Sequence, residues 1–124
     1  NKTDSEAAMD LTLETEKHGS AVVIRVTGEL TIQYADELEE EITVHMSQGA
    51  THFVLDLEKL EFIDSPGAAK FQHLDSLYKN DVAFAATPIP IKEVLDRLML
   101  FQKLNTFKTV DKALESFGEK PAES

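Results

Sequence analysis

Two short runs rich in β-branched and apolar residues, Ala21-Val22-Val23-Ile24-Arg25-Val26 and His52-Phe53-Val54-Leu55-Asp56-Leu57, constrain this chain more than any other feature. Each is too continuously apolar to keep a wet face, so each reads as a strand covered on both sides. Between them Ala35, Leu38, Ile42 and Met46 recur at helical spacing, and the acids Asp36, Glu37, Glu39, Glu40 and Glu41 crowd the first turns, where a helix N-terminus favours negative charge. A helix joining two buried strands implies parallel pairing through a right-handed crossover, with the second run at the centre of the sheet.

The flanking segments extend the pattern. Leu11 and Leu13 alternate with Thr12 and Glu14, and His18-Gly19-Ser20 supplies a turn, so the domain opens on a hairpin whose second strand closes at Gly28. After Leu57 the chain turns over into a helix from Ser65 to Lys79 with Phe71, Leu74, Leu77 and Tyr78 on its inner face. Val82 to Ala86 reads as a strand, and Ile91, Val94, Leu95, Leu98 and Met99 form the buried stripe of the next helix. Thr106-Phe107-Lys108 is a short last strand, and Val110, Ala113, Leu114 and Phe117 mark a terminal helix. These elements predict one α/β domain over residues 9–117, a mixed sheet of about four or five strands with about four helices. Residues 1–8 are expected to be a flexible leader and 118–124 a flexible tail.

Composition narrows the partners. With 23 acidic and 12 basic side chains the formal net charge is −11, which repels phosphate backbones and anionic bilayers, so neither nucleic acid nor membrane is an expected partner. The chain has no cysteine, which excludes disulfide and thiolate chemistry. No apolar stretch approaches the roughly 20 residues of a membrane span, and Asn1 to Ala8 lacks the basic and apolar regions of a secretory signal. A cytoplasmic monomer or weak dimer is expected.

Several chemistries lack their residues. His18, His45, His52 and His73 fall in four segments without ligand spacing, so no metal and no cofactor are expected. Ser65 is outside any nucleophile-elbow pattern, and His73 lies about 12 Å further along the same helix, too far to take its proton. Phosphate-cradling glycine loops are missing. Asp56 and Asp64, at a strand end and just before a helix, read as acids that bond free backbone N–H groups rather than as a catalytic pair. The sequence therefore points away from catalysis, and the remaining feature is Asp64-Ser65-Pro66-Gly67. Ser65 is expected to cap its helix with Pro66 in the first helical position, which would hold the hydroxyl still and near the surface.

Val23-Ile24-Arg25-Val26-Thr27-Gly28-Glu29-Leu30, then Ala35 and Leu38, then Phe53-Val54-Leu55-Asp56-Leu57, Phe62-Ile63-Asp64-Ser65-Pro66-Gly67 and Asp111-Lys112-Ala113-Leu114 together resemble the STAS domain of bacterial anti-sigma factor antagonists. The similarity runs from Met9 to Phe117. It implies a partner-switching regulator in which Ser65 is phosphorylated by a serine kinase of the histidine-kinase-like ATPase fold, which is often also the anti-sigma factor. A PPM-type phosphatase would remove the phosphate. The unmodified form would bind the kinase and anti-sigma protein, and the phosphorylated form would release it. The implied interface is Thr31, Ile32, Asp64, Pro66, Gly67, Ala68 and Phe71 around Ser65. Thr31 stands where the family commonly has aspartate, Pro66 where it has serine or threonine, and Ala68 where leucine is frequent. Stand-alone STAS proteins also serve as constitutive subunits of transporter or signalling complexes, and in that role Ser65 would be only a cap. A small enzyme or ligand carrier is the third class, with no catalytic constellation behind it.

Overall fold

A computed structural model describes residues 10–119 of the chain. β1 (Leu11–His18) and β2 (Ala21–Leu30) form the opening hairpin, in register from Leu11 opposite Gly28 to His18 opposite Ala21. Alternation directs Leu11 and Leu13 to the helix-covered face and leaves Glu14 and Glu16 in water. From β2 the chain crosses through α1 (Ala35–Ser47) to β3 (His52–Asp56), which pairs parallel with β2 from Ala21–His52 to Arg25–Asp56. Beyond lie β5 (Val82–Ala85) and β6 (Thr106–Phe107), both parallel, in the order β1-β2-β3-β5-β6 with β3 central.

One strand departs from expectation. Leu60–Ile63 forms β4, which pairs parallel with the end of β2, so the described sheet has six strands. β2 runs through Gly28 to Leu30: its first half pairs with β3, and its last residues pair with β4 after β3 has left. The register shifts between Gly28 and Glu29, where Gly28 takes φ +102° and a Cβ would lie 2.1 Å from the Asp10 carbonyl oxygen. Only glycine fits that point, both in conformation and in space.

The helices cover the sheet unevenly. α1, α2 (Ser65–Leu77) and α3 (Ile89–Arg97) pack one face, where Leu38, Ile42, Phe71, Leu74, Ile91 and Leu95 meet Ile24, Leu30, Leu55 and Phe84. Each such side chain, removed from water, contributes about 1.5–3 kcal/mol. The opposite face carries α4 (Val110–Ser116), whose Ala113 and Leu114 rest on Ala21, Val23, Val54, Ala83 and Ala85. Leu98 and Met99 fall outside the expected buried stripe: α3 ends at Arg97, Met99 turns the chain at φ +59°, and both side chains are exposed. Leu77 and Met46 are likewise largely exposed at the last turns of their helices.

Beyond α4 the described chain is still held. The Glu119 carboxylate accepts from the Ser20 amide at 3.3 Å and from its hydroxyl at 2.8 Å. The expected leader and residues 120–124 lie outside the described residues. No described helix is long and apolar enough to cross a membrane.

Candidate docking site around Ser65

β2 and β4 end side by side, Leu30 opposite Ile63, and each passes directly into a helix-opening loop. This brings Thr31 and Ile32 next to Asp64 and Ser65. Asp64 ties the two loops together. Its amide donates to the Leu30 carbonyl at 3.3 Å, its Oδ1 accepts from the Gly67 amide at 2.8 Å, and its Oδ2 accepts from the Ile32 amide at 3.2 Å. The backbone of Asp64 is extended and its side chain is the N-cap of α2.

The expected cap is therefore displaced by one residue: Asp64 caps, Ser65 is the first helical residue and Pro66 the second. A carboxylate has two oxygens and serves Gly67 and Ile32 together, which one hydroxyl oxygen does not match. Ser65 is exposed in consequence, and its hydroxyl makes no hydrogen bond among the described residues.

The other expected interface residues divide. Ile32 is 72% exposed, Pro66 is exposed, and Thr31 and Asp64 are half-buried. Gly67, Ala68 and Phe71 are buried on the inner side of α2. At helical spacing they fall on the face of α2 turned to the sheet, so they support the site from below. Phe71 packs on Phe84 with ring centroids 5.0 Å apart.

The Ile32 loop is pinned at both ends. Beyond the Asp64 bond, the Tyr34 amide donates to the Thr31 carbonyl at 2.9 Å and the Tyr34 hydroxyl donates to Asp10 Oδ1 at 2.6 Å. That bond to a carboxylate, with desolvation and the nearby acids adding to it, raises the phenol above its ordinary pKa.

Charge around the site is mostly negative. Lys70, further along α2, is engaged by Glu39 at 2.6 Å and Asp36 at 3.0 Å. The hydrogen bond from Lys70 lowers the Glu39 carboxyl and the same bond raises Lys70, against a smaller opposing effect of burial on each. His73 joins Glu39 at 3.3 Å. Within the acidic run of α1, Glu39 is half-buried and braces α1 to α2, a role that no local spacing announces.

Elsewhere the structure holds ordinary ion pairs. Asp56 is buried, accepts from the Glu58 amide at 3.1 Å and lies 3.4 Å from Arg25 Nε. Each histidine faces a carboxylate, His18 with Glu16, His45 with Glu41 and His52 with Asp81 in addition to His73 with Glu39. Among the described residues no group of three or more His, Cys, Asp or Glu is placed to hold a metal ion.

Fold and site define an α/β domain that displays one serine at the start of a helix. The chain belongs to the STAS domain family, which it matches over residues 12–113. Among solved structures it is similar to an anti-sigma factor antagonist from Mycobacterium paratuberculosis, with a TM-score of 0.73 and 22% identity over 86% of this chain and 93% of that one. The unphosphorylated anti-sigma factor antagonist SpoIIAA matches with a TM-score of 0.67 and 21% identity, over 88% of this chain and 96% of that one. Its phosphorylated form, from Bacillus, gives 0.56 and 22%, over 87% and 99%. The murine anion transporter Slc26a9 is also similar, with a TM-score of 0.73 at 10% identity, over 92% of this chain and 23% of that one. At these identities each likeness is one of fold.

Proposed function

We propose that this protein is an anti-sigma factor antagonist that works by partner switching, with Ser65 as its phosphorylation site. The observation that carries the reading is the release of Ser65 from capping: Asp64 holds the helix start, and the serine hydroxyl stands exposed at the edge where β2 and β4 end. Unmodified, the protein docks through Ile32, Thr31, Asp64, Ser65 and Pro66 onto a kinase of the histidine-kinase-like ATPase fold that is also the anti-sigma factor, and so frees the sigma factor. It is a docking protein and a kinase substrate, not itself an enzyme.

In the switching step the Ser65 oxygen forms a bond to the γ-phosphorus of ATP, the bond from that phosphorus to the β,γ-bridging oxygen breaks, and ADP leaves. The hydroxyl proton passes to a base on the kinase. The product carries about −1.5 to −2 charges on Ser65. Lys70 is already engaged by Asp36 and Glu39, so the new dianion stands among acids with no partner from that side chain. In the complex an unpaired dianion at the centre of an interface costs a few kcal/mol, and each 1.4 kcal/mol is about tenfold in affinity. A PPM-type phosphatase restores the docking form by hydrolysing the phosphate ester.

Incubation with the cognate kinase and ATP, followed by intact-mass measurement, tests the assignment. One added phosphate is expected, absent in Ser65→Ala. Labelling that persists in Ser65→Ala overturns it.

A further inference from the structure

Helices leave their first four amides without an internal partner, and at the start of α2 little of that set is open. The Asp64 amide goes to the Leu30 carbonyl, Pro66 has no N–H, and the Gly67 amide is held by Asp64 Oδ1. Only the amide of Ser65 itself remains. Asp64 and a phosphate on Ser65 are adjacent anions competing for the same positive helix end.

The other oxygen of Asp64 is the one that fixes Ile32. We infer that Asp64 is a positioning residue which couples the charge on Ser65 to the Ile32 loop. While Ser65 is unmodified, Asp64 holds the Ile32 amide and keeps that exposed apolar side chain in the docking face. When Ser65 carries phosphate, repulsion and competition for the Gly67 amide turn the Asp64 carboxylate away, and Ile32 loses its anchor. Phosphorylation then acts twice, by placing charge in the interface and by dismantling the loop beside it. The inference rests on the reading of Ser65 as the modified residue and adds a route through Asp64.

Amide exchange measured by NMR on the full chain tests it without any partner. Phosphoserine is installed at position 65 by genetic encoding, so the outcome does not depend on finding the kinase. Losing a hydrogen bond to a charged acceptor speeds exchange of the Ile32 amide about tenfold or more. That acceleration is expected with phosphoserine at 65, while amides in the middle of α2 keep their protection.

Asp64→Asn is the second arm. Its amide oxygen still caps Gly67, but its NH2 group faces the Ile32 amide and accepts nothing. Ile32 should exchange faster with Gly67 protection retained. An Ile32 amide unmoved by phosphoserine overturns the inference even if Ser65 phosphorylation still releases the partner. Loss of Ile32 and Gly67 protection together in Asp64→Asn also overturns it, because Asp64 would then be only a cap.

Discussion

Gly67 in the first turn of α2 lies against the backbone of Leu30 at the end of β2: a Cβ on Gly67 would stand 2.3 Å from the Leu30 carbonyl oxygen. The obstacle is main chain fixed in the sheet, with Ile63 Cγ1 a further 3.0 Å neighbour, so no flexible side chain gives way. That contact sets how closely the serine-bearing helix start approaches the Ile32 loop.

Gly67→Ala therefore forces α2 outward. A destabilisation of about 1–3 kcal/mol is expected from overpacking, read as a lower urea midpoint with unchanged slope. The Asp64–Ile32 bond should weaken with it. A midpoint equal to that of the unsubstituted protein would contradict a role for this close approach in setting the position of α2.

Phe71 separates support from contact. Its ring is fully buried against Phe84, so Phe71→Ala should cost about 3–5 kcal/mol, a large share of the stability of a domain this size. Any loss of docking by this variant should follow its unfolding curve. A folded Phe71→Ala protein of normal stability that fails to dock would return Phe71 to the interface.

The Glu39–Lys70 brace has a defined pH window. The Glu39 carboxyl is held below its ordinary value of 4.5, so its stabilisation is complete above that pH and is lost as the pH falls through the lower folded value. Lys70 is held above its ordinary 10.5, so its contribution is complete below that pH and is lost only as the pH rises through the higher folded value. Glu39→Gln should lower stability at pH 7 by about 1 kcal/mol, since the pair is only partly shielded from water. Urea titrations in acid should show that deficit shrinking below pH 4.5. A deficit of the same size in acid contradicts the ionic brace.

What the sequence showed and what it hid follow from length scales. β2, β3 and β5 are legible because strands buried on both faces need unbroken apolar runs, and α4 because Ala113, Leu114 and Phe117 share one face. β4 is hidden: Leu60 and Ile63 are buried while Glu61 and Phe62 between them are exposed, an i, i+3 spacing that lacks the period-two alternation of a strand. The helix start at Asp64-Ser65 is legible in the sequence, but which of the two side chains caps it is not. That Asp64 rather than Ser65 caps α2 depends on the Ile32 amide, 32 positions away in the chain, which gives the aspartate a second partner. Leu98 and Met99 keep helical spacing after the helix itself has stopped, so periodicity alone overextends the stripe.

The most direct test of the account is the affinity of the anti-sigma kinase for this protein with serine and with phosphoserine at position 65, measured by titration calorimetry at one salt concentration. The account predicts binding by the serine form and a loss of about 100-fold or more in the phosphoserine form, from a few kcal/mol of unpaired charge. Equal affinity for the two forms would contradict it, and would place the domain among constitutive STAS subunits in which Ser65 does no more than begin a helix.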